Sequence, residues 1–116
     1  MRILSGLLLL FAAAGASPEV VGRATALYQR TDYETSLHVL AEDPAPDAGN
    51  YLLSAKNYFM LGDYKKAIEF LEKALASSPN SSEYELWLGR AWGRRAETSN
   101  WLLAGVHASW ARQCFE

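Results

Sequence analysis

The side chains best suited to bind a metal ion are few and widely spaced in the sequence. It has two histidines, His38 and His107, and a single cysteine, Cys114. His107 and Cys114 are about two turns apart on a helix and could contact the same ion. A zinc site needs further protein ligands, and no other histidine or cysteine lies close in sequence. We therefore expect no metal site, and packing explains these side chains better.

Neighbouring carboxylates are the remaining candidates for acid–base chemistry. Glu83 and Glu85 lie at a predicted helix start, and Glu42 and Asp43 lie in a predicted loop. Solvation and the helix dipole explain acidic residues at such places. The sequence also has no glycine-rich phosphate loop, no Gly-x-Ser-x-Gly motif and no His-Glu-x-x-His motif. We predict that the protein is not an enzyme and has no catalytic residue and no cofactor.

Composition restricts the class of protein further. The chain has 116 residues, of which 50% are hydrophobic, and a formal net charge of −2. This length suits one small domain, and the charge gives no reason to expect nucleic acid as a partner. A single cysteine cannot form an intramolecular disulfide bond. Cys114 lies beside Trp110 and Phe115 on a predicted helix face, so we favour a structural role over a reactive thiol.

Residues 1–16 have the pattern of a secretory signal peptide. A basic start at Arg2 is followed by an apolar run, and the small residues Ala14 and Ala16 frame a cleavage site. The run is shorter than the about 20 apolar residues that cross a bilayer, so we favour a cleaved signal over a retained anchor. We predict a mature chain of residues 17–116 without a stable membrane span. Its expected location is the bacterial periplasm or the medium.

An amphipathic helix follows a Gly-Asp-Tyr turn at Gly62. Its apolar residues have the spacing that places one stripe on one helix face, and charged residues occupy the other face. The stripe consists of Tyr64, Ala67, Ile68, Leu71, Ala74 and Leu75. The same Asp-Tyr pair occurs earlier at Asp32 and Tyr33, again followed by apolar positions. This self-similarity indicates an internal repeat of helices.

The repeat resembles the tetratricopeptide repeat family, whose unit is about 34 residues of paired antiparallel helices. The middle unit, residues 48–81, carries the resemblance. Its matching positions are Tyr51, Ala55 and Tyr58 on the first helix, Gly62 to Tyr64 at the turn, Ala67, Leu71 and Ala74 on the second helix, and Pro79 at the end. The resemblance implies an all-α fold, an antiparallel helix-hairpin solenoid of about two and a half to three units.

The flanking units, about 17–47 and 82–116, depart from the pattern. In the first, Pro44 and Pro46 end the second helix early. The third matches the repeat pattern at its start, with Gly89 as the small residue at the helix crossing. It then carries an insertion near 95–105 before a second helix near Ala111. We favour Trp101 in this insertion as a core residue over a contact surface.

Nothing in the sequence after Ala111 ends a helix or caps a solenoid. Solenoids normally finish with a polar face, because an uncapped end exposes apolar surface to water. We therefore interpret the chain as the N-terminal part of a longer protein. The alternative is a complete chain that forms a homo-oligomer through this last helix.

The resemblance implies a non-enzymatic scaffold that binds another protein, as a peptide or helix, in the concave groove between the first helices of successive units. By register the groove residues are Tyr28, Leu52, Lys56, Phe59, Leu86, Arg90 and Arg94, with Val21 and Thr25 beside them. The three basic residues would form a cationic stripe suited to an acidic peptide with an apolar anchor. Alternatively, they are surface residues neutralised by Glu83 and Glu85. The second candidate function is a structural or self-assembly module.

Overall fold

The chain is helical throughout the part that the structure describes. A computed structural model describes the backbone of residues 16–115 and the side chains of residues 18–101 and 105. The helices are α1 (Ala16–Gln29), α2 (Tyr33–Ala41), α3 (Ala48–Met60), α4 (Tyr64–Ser77) and α5 (Ser82–Phe115), and no strand occurs among these residues. The predicted all-α fold is confirmed for this range. The predicted signal peptide lies outside it except for Ala16 and stays a prediction.

Two turns of the same geometry close the two helix hairpins. At the end of α3 the Asp63 amide donates to the Tyr58 carbonyl at 2.9 Å, with Gly62 at a positive φ of 82°. At the end of α1 the Asp32 amide donates to the Leu27 carbonyl at 2.9 Å. Both are Schellman turns, in which a left-handed residue lets the chain reverse after a helix. The repeat seen in the sequence is therefore also a repeat of backbone conformation.

Side-chain caps fix where three of the helices begin. An Asp47 carboxylate oxygen accepts from the Asn50 amide at 3.0 Å at the start of α3. Asp63 does the same for the Lys66 amide at 3.1 Å at the start of α4. The Ser81 hydroxyl accepts from the Tyr84 amide at 3.3 Å before α5. Each cap satisfies an amide that has no partner within its helix.

The helices pack around small residues in two core clusters. Ala55, Ala67 and Ala91 lie where α3, α4 and α5 meet, and each is at most 1% exposed. Ala24 lies with Leu40 where α1 and α2 reach α3. Alanine at a crossing lets two helix axes approach closely. Gly89 was expected at such a crossing, but it is exposed, and nothing beyond its chain neighbours and its own helix backbone lies within 4 Å of where its Cβ would be.

The third unit is not a hairpin in this structure, because α5 runs unbroken from Ser82 to Phe115. The second helix expected near Ala111 is thus a continuation of the first. The predicted insertion, residues 95–105, contains no proline, and its single glycine, Gly105, lies within the helix without ending it. The expectation that Trp101 packs back into the core is wrong, since it is 80% exposed. The side chains of His107 and Cys114 lie outside the described ones.

Candidate functional site

The first helices of the hairpins, α1 and α3, enclose a pocket on the face where the groove was predicted. The pocket has a volume of about 280 Å³. Its lining consists of Val21, Thr25, Tyr28, Gln29, Gly49, Leu52, Leu53 and Lys56. The structure therefore brings together Tyr28, Leu52 and Lys56, three of the predicted groove residues, with Val21 and Thr25. A mainly apolar pocket with one ammonium group at its rim can hold an apolar side chain beside a negative charge.

Lys56 also belongs to a second cluster, around Trp87 of α5. The Lys56 ammonium lies 5.3 Å from the centroid of the Trp87 ring, and the Arg90 guanidinium carbon lies 5.2 Å from it. Phe59 meets the same ring edge-on, with centroids 5.5 Å apart. Cations within about 6 Å of an indole are attracted by the negative face of the ring. We call Lys56, Trp87 and Arg90 the tryptophan clamp.

Nearby acids were the alternative explanation for the basic groove residues, and among the described residues the structure shows such a partner for Lys56 but not for Arg90. Lys56 lies 3.7 Å from a carboxylate oxygen of Glu83, with the glutamate side chain 59% exposed. An ion pair this exposed is weak and is screened by salt. Among the described residues no carboxylate lies within ion-pair distance of Arg90, whose charge remains available to a ligand.

Arg94 lies apart from the tryptophan clamp. Its Nε donates to the Tyr64 hydroxyl at 3.2 Å, and its Nη1 lies 3.1 Å from a carboxylate oxygen of Glu97. Tyr64 in turn contacts Phe59, with ring centroids 5.3 Å apart. Arg94 is thus joined to the groove only through a row of aromatic rings, and its charge is already paired.

Leu86, the remaining predicted residue, and Tyr28 of the pocket have different surroundings. Leu86 is 54% exposed and offers an apolar contact next to Trp87 in the chain. Tyr28 is half-buried, with its ring 5.5 Å from that of Tyr33. Burial, and then the neighbouring Tyr33, raise the pKa of Tyr28 above its ordinary value. Its phenol is therefore neutral at physiological pH and can donate a hydrogen bond to a ligand.

Sequence reasoning missed Trp87 as a groove residue. The signal was present, because Trp87 is one turn before Arg90 on a helix. The register taken from the repeat gave the inner face to Leu86 and Arg90 instead.

Within the described side chains, no group of three histidine, cysteine or acidic residues is placed to hold a metal ion. Nor does any described helix have the length and apolar content needed to cross a membrane.

The hairpin formed by α3 and α4 also has a recognisable sequence. Residues 48–81 match the model of the tetratricopeptide repeat. The matched residues are those of the middle unit predicted from the sequence, and the match supports a relationship of this hairpin to the tetratricopeptide repeat family. Such repeats are typically protein-interaction modules rather than enzymes. No curated protein and no solved structure is significantly similar to the chain.

Proposed function

We propose that the protein is a non-enzymatic scaffold that binds an acidic peptide or helix of a partner protein along α1, α3 and α5. The tetratricopeptide repeat at residues 48–81 supports a protein partner. The observation that carries the proposal is the position of Lys56, which both lines the apolar pocket and contacts the Trp87 ring. An apolar anchor of the partner occupies the pocket, and its carboxylate reaches Lys56 and Arg90.

The electrostatic part of this proposal is tested by reversing the two charges. The double variant Lys56→Glu with Arg90→Glu is expected to lose capture of acidic peptides that carry one apolar side chain, arrayed on a solid support. The two new carboxylates repel the peptide and leave its charge unpaired. Peptide capture by fluorescently labelled protein is the measurement, and helical circular dichroism reports folding.

A matched control carries the same change of charge elsewhere. Arg30 and Lys65 are exposed and lie outside the pocket and the tryptophan clamp. The variant Arg30→Glu with Lys65→Glu should capture acidic peptides like the unchanged protein. If both double variants lose peptide capture equally, the loss is an effect of net charge and not of the groove. If the Lys56→Glu and Arg90→Glu variant still captures acidic peptides, the groove assignment is wrong.

A second candidate function is self-assembly through α5. Trp92 is 49% exposed on this helix, and Gly89, one turn earlier, faces open space. In the middle unit the equivalent positions, Ala55 and Tyr58, lie against α4. The corresponding face of α5 therefore lacks the helix that would cover it within a hairpin, and a second copy of the chain could supply one.

We also propose that the protein is exported from a bacterial cell. The support is the basic start, apolar run and small-residue cleavage pattern of residues 1–16. Expression of the full chain in a bacterium should yield periplasmic protein that begins at Ser17, as measured by mass spectrometry of the intact chain. Cytosolic protein that retains Met1 would contradict export.

A further inference from the structure

One face of α5 is exposed along the part of the helix whose side chains the structure describes. Gly89, Trp92, Ala96 and Asn100 follow one another at intervals of three or four residues, so they share one side of the helix. All four are exposed, and Trp92 is 49% exposed although tryptophan is usually well buried. We call these four residues the open face of α5.

The middle hairpin shows what lies on this side of a first helix in a complete unit. Ala55 and Tyr58 of α3 are the equivalents of the first two residues of the open face. Ala55 shares a core cluster with Ala67 of α4, and Tyr58 stacks on Phe70 of α4 with ring centroids 5.5 Å apart. The open face therefore lacks a helix that presents a small residue at the crossing.

The sequence pattern of such a covering helix occurs near the end of α5. Ala111 has the repeat position of Ala67. The apolar Phe115 follows Ala111 by one turn, as Leu71 follows Ala67. Leu71 is 1% exposed, so an apolar residue at this position holds α4 in the core of its hairpin. Residues 107–115 thus carry the pattern of the helix that the open face lacks.

The same segment cannot reach the open face of its own copy. α5 is one unbroken helix from Ser82 to Phe115. Its rise of about 1.5 Å per residue places Ala111 about 33 Å from Gly89. α5 has 34 residues and α4, on which it packs, only 14, so more than half of α5 extends beyond α4. This length leaves room for another helix alongside α5.

An antiparallel pair of α5 helices would bring the two features together. If Gly89 of one copy lies against Ala111 of the other, two-fold symmetry repeats the same contact at the other end of the pair. Small residues then meet at both crossings, which allows the close approach of helices found between α3 and α4. The symmetry axis passes beside Asn100, midway between the two positions. Two Asn100 amides can hydrogen-bond there, as paired asparagines do where they fix the register of associated helices.

We propose that two copies of the protein exchange the ends of α5, so that residues 107–115 of each copy lie on the open face of the other. The proposal rests on the candidate function of self-assembly and names the segment that forms the interface. Exchange completes the third helix pair in each copy and buries Trp92. The occupant is a second copy, because the segment with the covering pattern belongs to this chain and is out of reach of its own open face.

Cysteine cross-linking tests the exchange. Gly89→Cys with Ala111→Cys, in a Cys114→Ser background, should give covalent dimers on mild oxidation, because small residues at a helix crossing have Cα atoms within reach of a disulfide bond. Each single variant in the same background should give none, since one position lies about 33 Å from its own copy in the exchanged pair. The measurement is a doubled mass on a non-reducing gel that is lost with reductant.

A matched control uses the opposite side of the same helix. Thr98 is exposed and lies two and a half turns after Gly89. Thr98→Cys with Ala111→Cys, again with Cys114→Ser, should give no covalent dimer. Helical circular dichroism of the reduced variants reports folding.

Sedimentation provides a test without added cysteines. Ala111→Glu should raise the dissociation constant of the dimer at least about tenfold, because the exchange would bury an unpaired carboxylate. Thr98→Glu carries the same charge on the opposite side of α5 and should leave the dissociation constant unchanged. Equal effects of the two variants would contradict the exchange.

The outcomes separate the exchange from self-assembly in general. A monomer with an internal bond between positions 89 and 111 would mean that α5 folds back as a hairpin, and would overturn the exchange. A protein that sediments as a dimer but forms no bond between these positions would overturn the exchange and leave self-assembly intact. A protein that is monomeric at all concentrations would contradict both.

Discussion

At the residue scale, one buried serine joins three helices. The Ser36 hydroxyl donates to the Ala24 carbonyl at 2.8 Å and accepts from the Asn57 side-chain amide at 2.9 Å. Ser36 and Asn57 are both fully buried. Ser36 occupies the position that Ala67 has in the middle unit, and the sequence shows it only as a departure from the repeat pattern. The structure explains the departure, because the hydroxyl ties α2 to α1 and to α3.

Ser36→Ala is therefore expected to lower the free energy of unfolding by about 1–3 kcal/mol, since the Asn57 amide and the Ala24 carbonyl lose a partner away from water. Urea denaturation followed by circular dichroism measures the change. Thr35→Ala is the matched control, because Thr35 is the neighbouring exposed residue, and its effect should stay within about 0.5 kcal/mol. Similar losses for both variants would contradict a role for the hydroxyl.

The basic groove residues also differ in how available their charges are to a ligand. Lys56 and Arg90 remain near each other at Trp87, whereas Arg94 is paired with Glu97 and Tyr64. Basic residues that the repeat register assigns to one face are therefore not equally available to a ligand.

At the element scale, the two turns that close the hairpins use different residues in the same conformation. Thr31 has a positive φ of 63°, and its counterpart Gly62 has 82°. A residue with a Cβ is strained in this left-handed region, and a β-branched residue more so. The first hairpin thus contains strain that the middle hairpin avoids.

Thr31→Gly is expected to raise the free energy of unfolding by about 0.5–1 kcal/mol, because relief of the strain exceeds the entropy that glycine loses on folding. Thermal and urea denaturation measure it. The same change inside α2, Thr35→Gly, should have the opposite sign and cost about 0.3 kcal/mol, because threonine is itself a weak helix former. A destabilised Thr31→Gly variant would mean that the threonine side chain stabilises the turn by more than its strain.

At the scale of the whole molecule, the open face of α5 decides whether the chain acts alone or as an assembly. Gly89 faces open space in the single chain, so a side chain there meets nothing. If a helix of a second copy covers this face as α4 covers Ala55, a large side chain at Gly89 blocks the close approach of the two helices.

The variant Gly89→Leu therefore distinguishes a protein that acts as a single chain from one that self-assembles. In the single chain it should stabilise α5 by about 1 kcal/mol, as removal of an exposed helical glycine does. In an assembly it should shift the equilibrium toward the monomer, seen by sedimentation over a range of concentrations. Sedimentation of the unchanged mature chain as a monomer at all concentrations would contradict self-assembly.

The sequence by itself determined the all-α fold, the two Asp-Tyr helix starts, the middle repeat and the early end of α2. These features depend on local causes: caps, a left-handed glycine, prolines and the spacing of apolar residues. The sequence also placed Tyr28, Leu52 and Lys56 on one face, because their register follows from the repeat. All of this could be read without knowledge of distant contacts.

Only the tertiary structure decided which of these features meet. It placed Trp87 between Lys56 and Arg90, paired Arg94 away from them, and left Trp101 exposed. It also left a small opening between α2 and α3, lined by Leu37, Ala41 and Tyr58. Each of these depends on how helices that are distant in sequence pack together, and local propensity does not specify that packing.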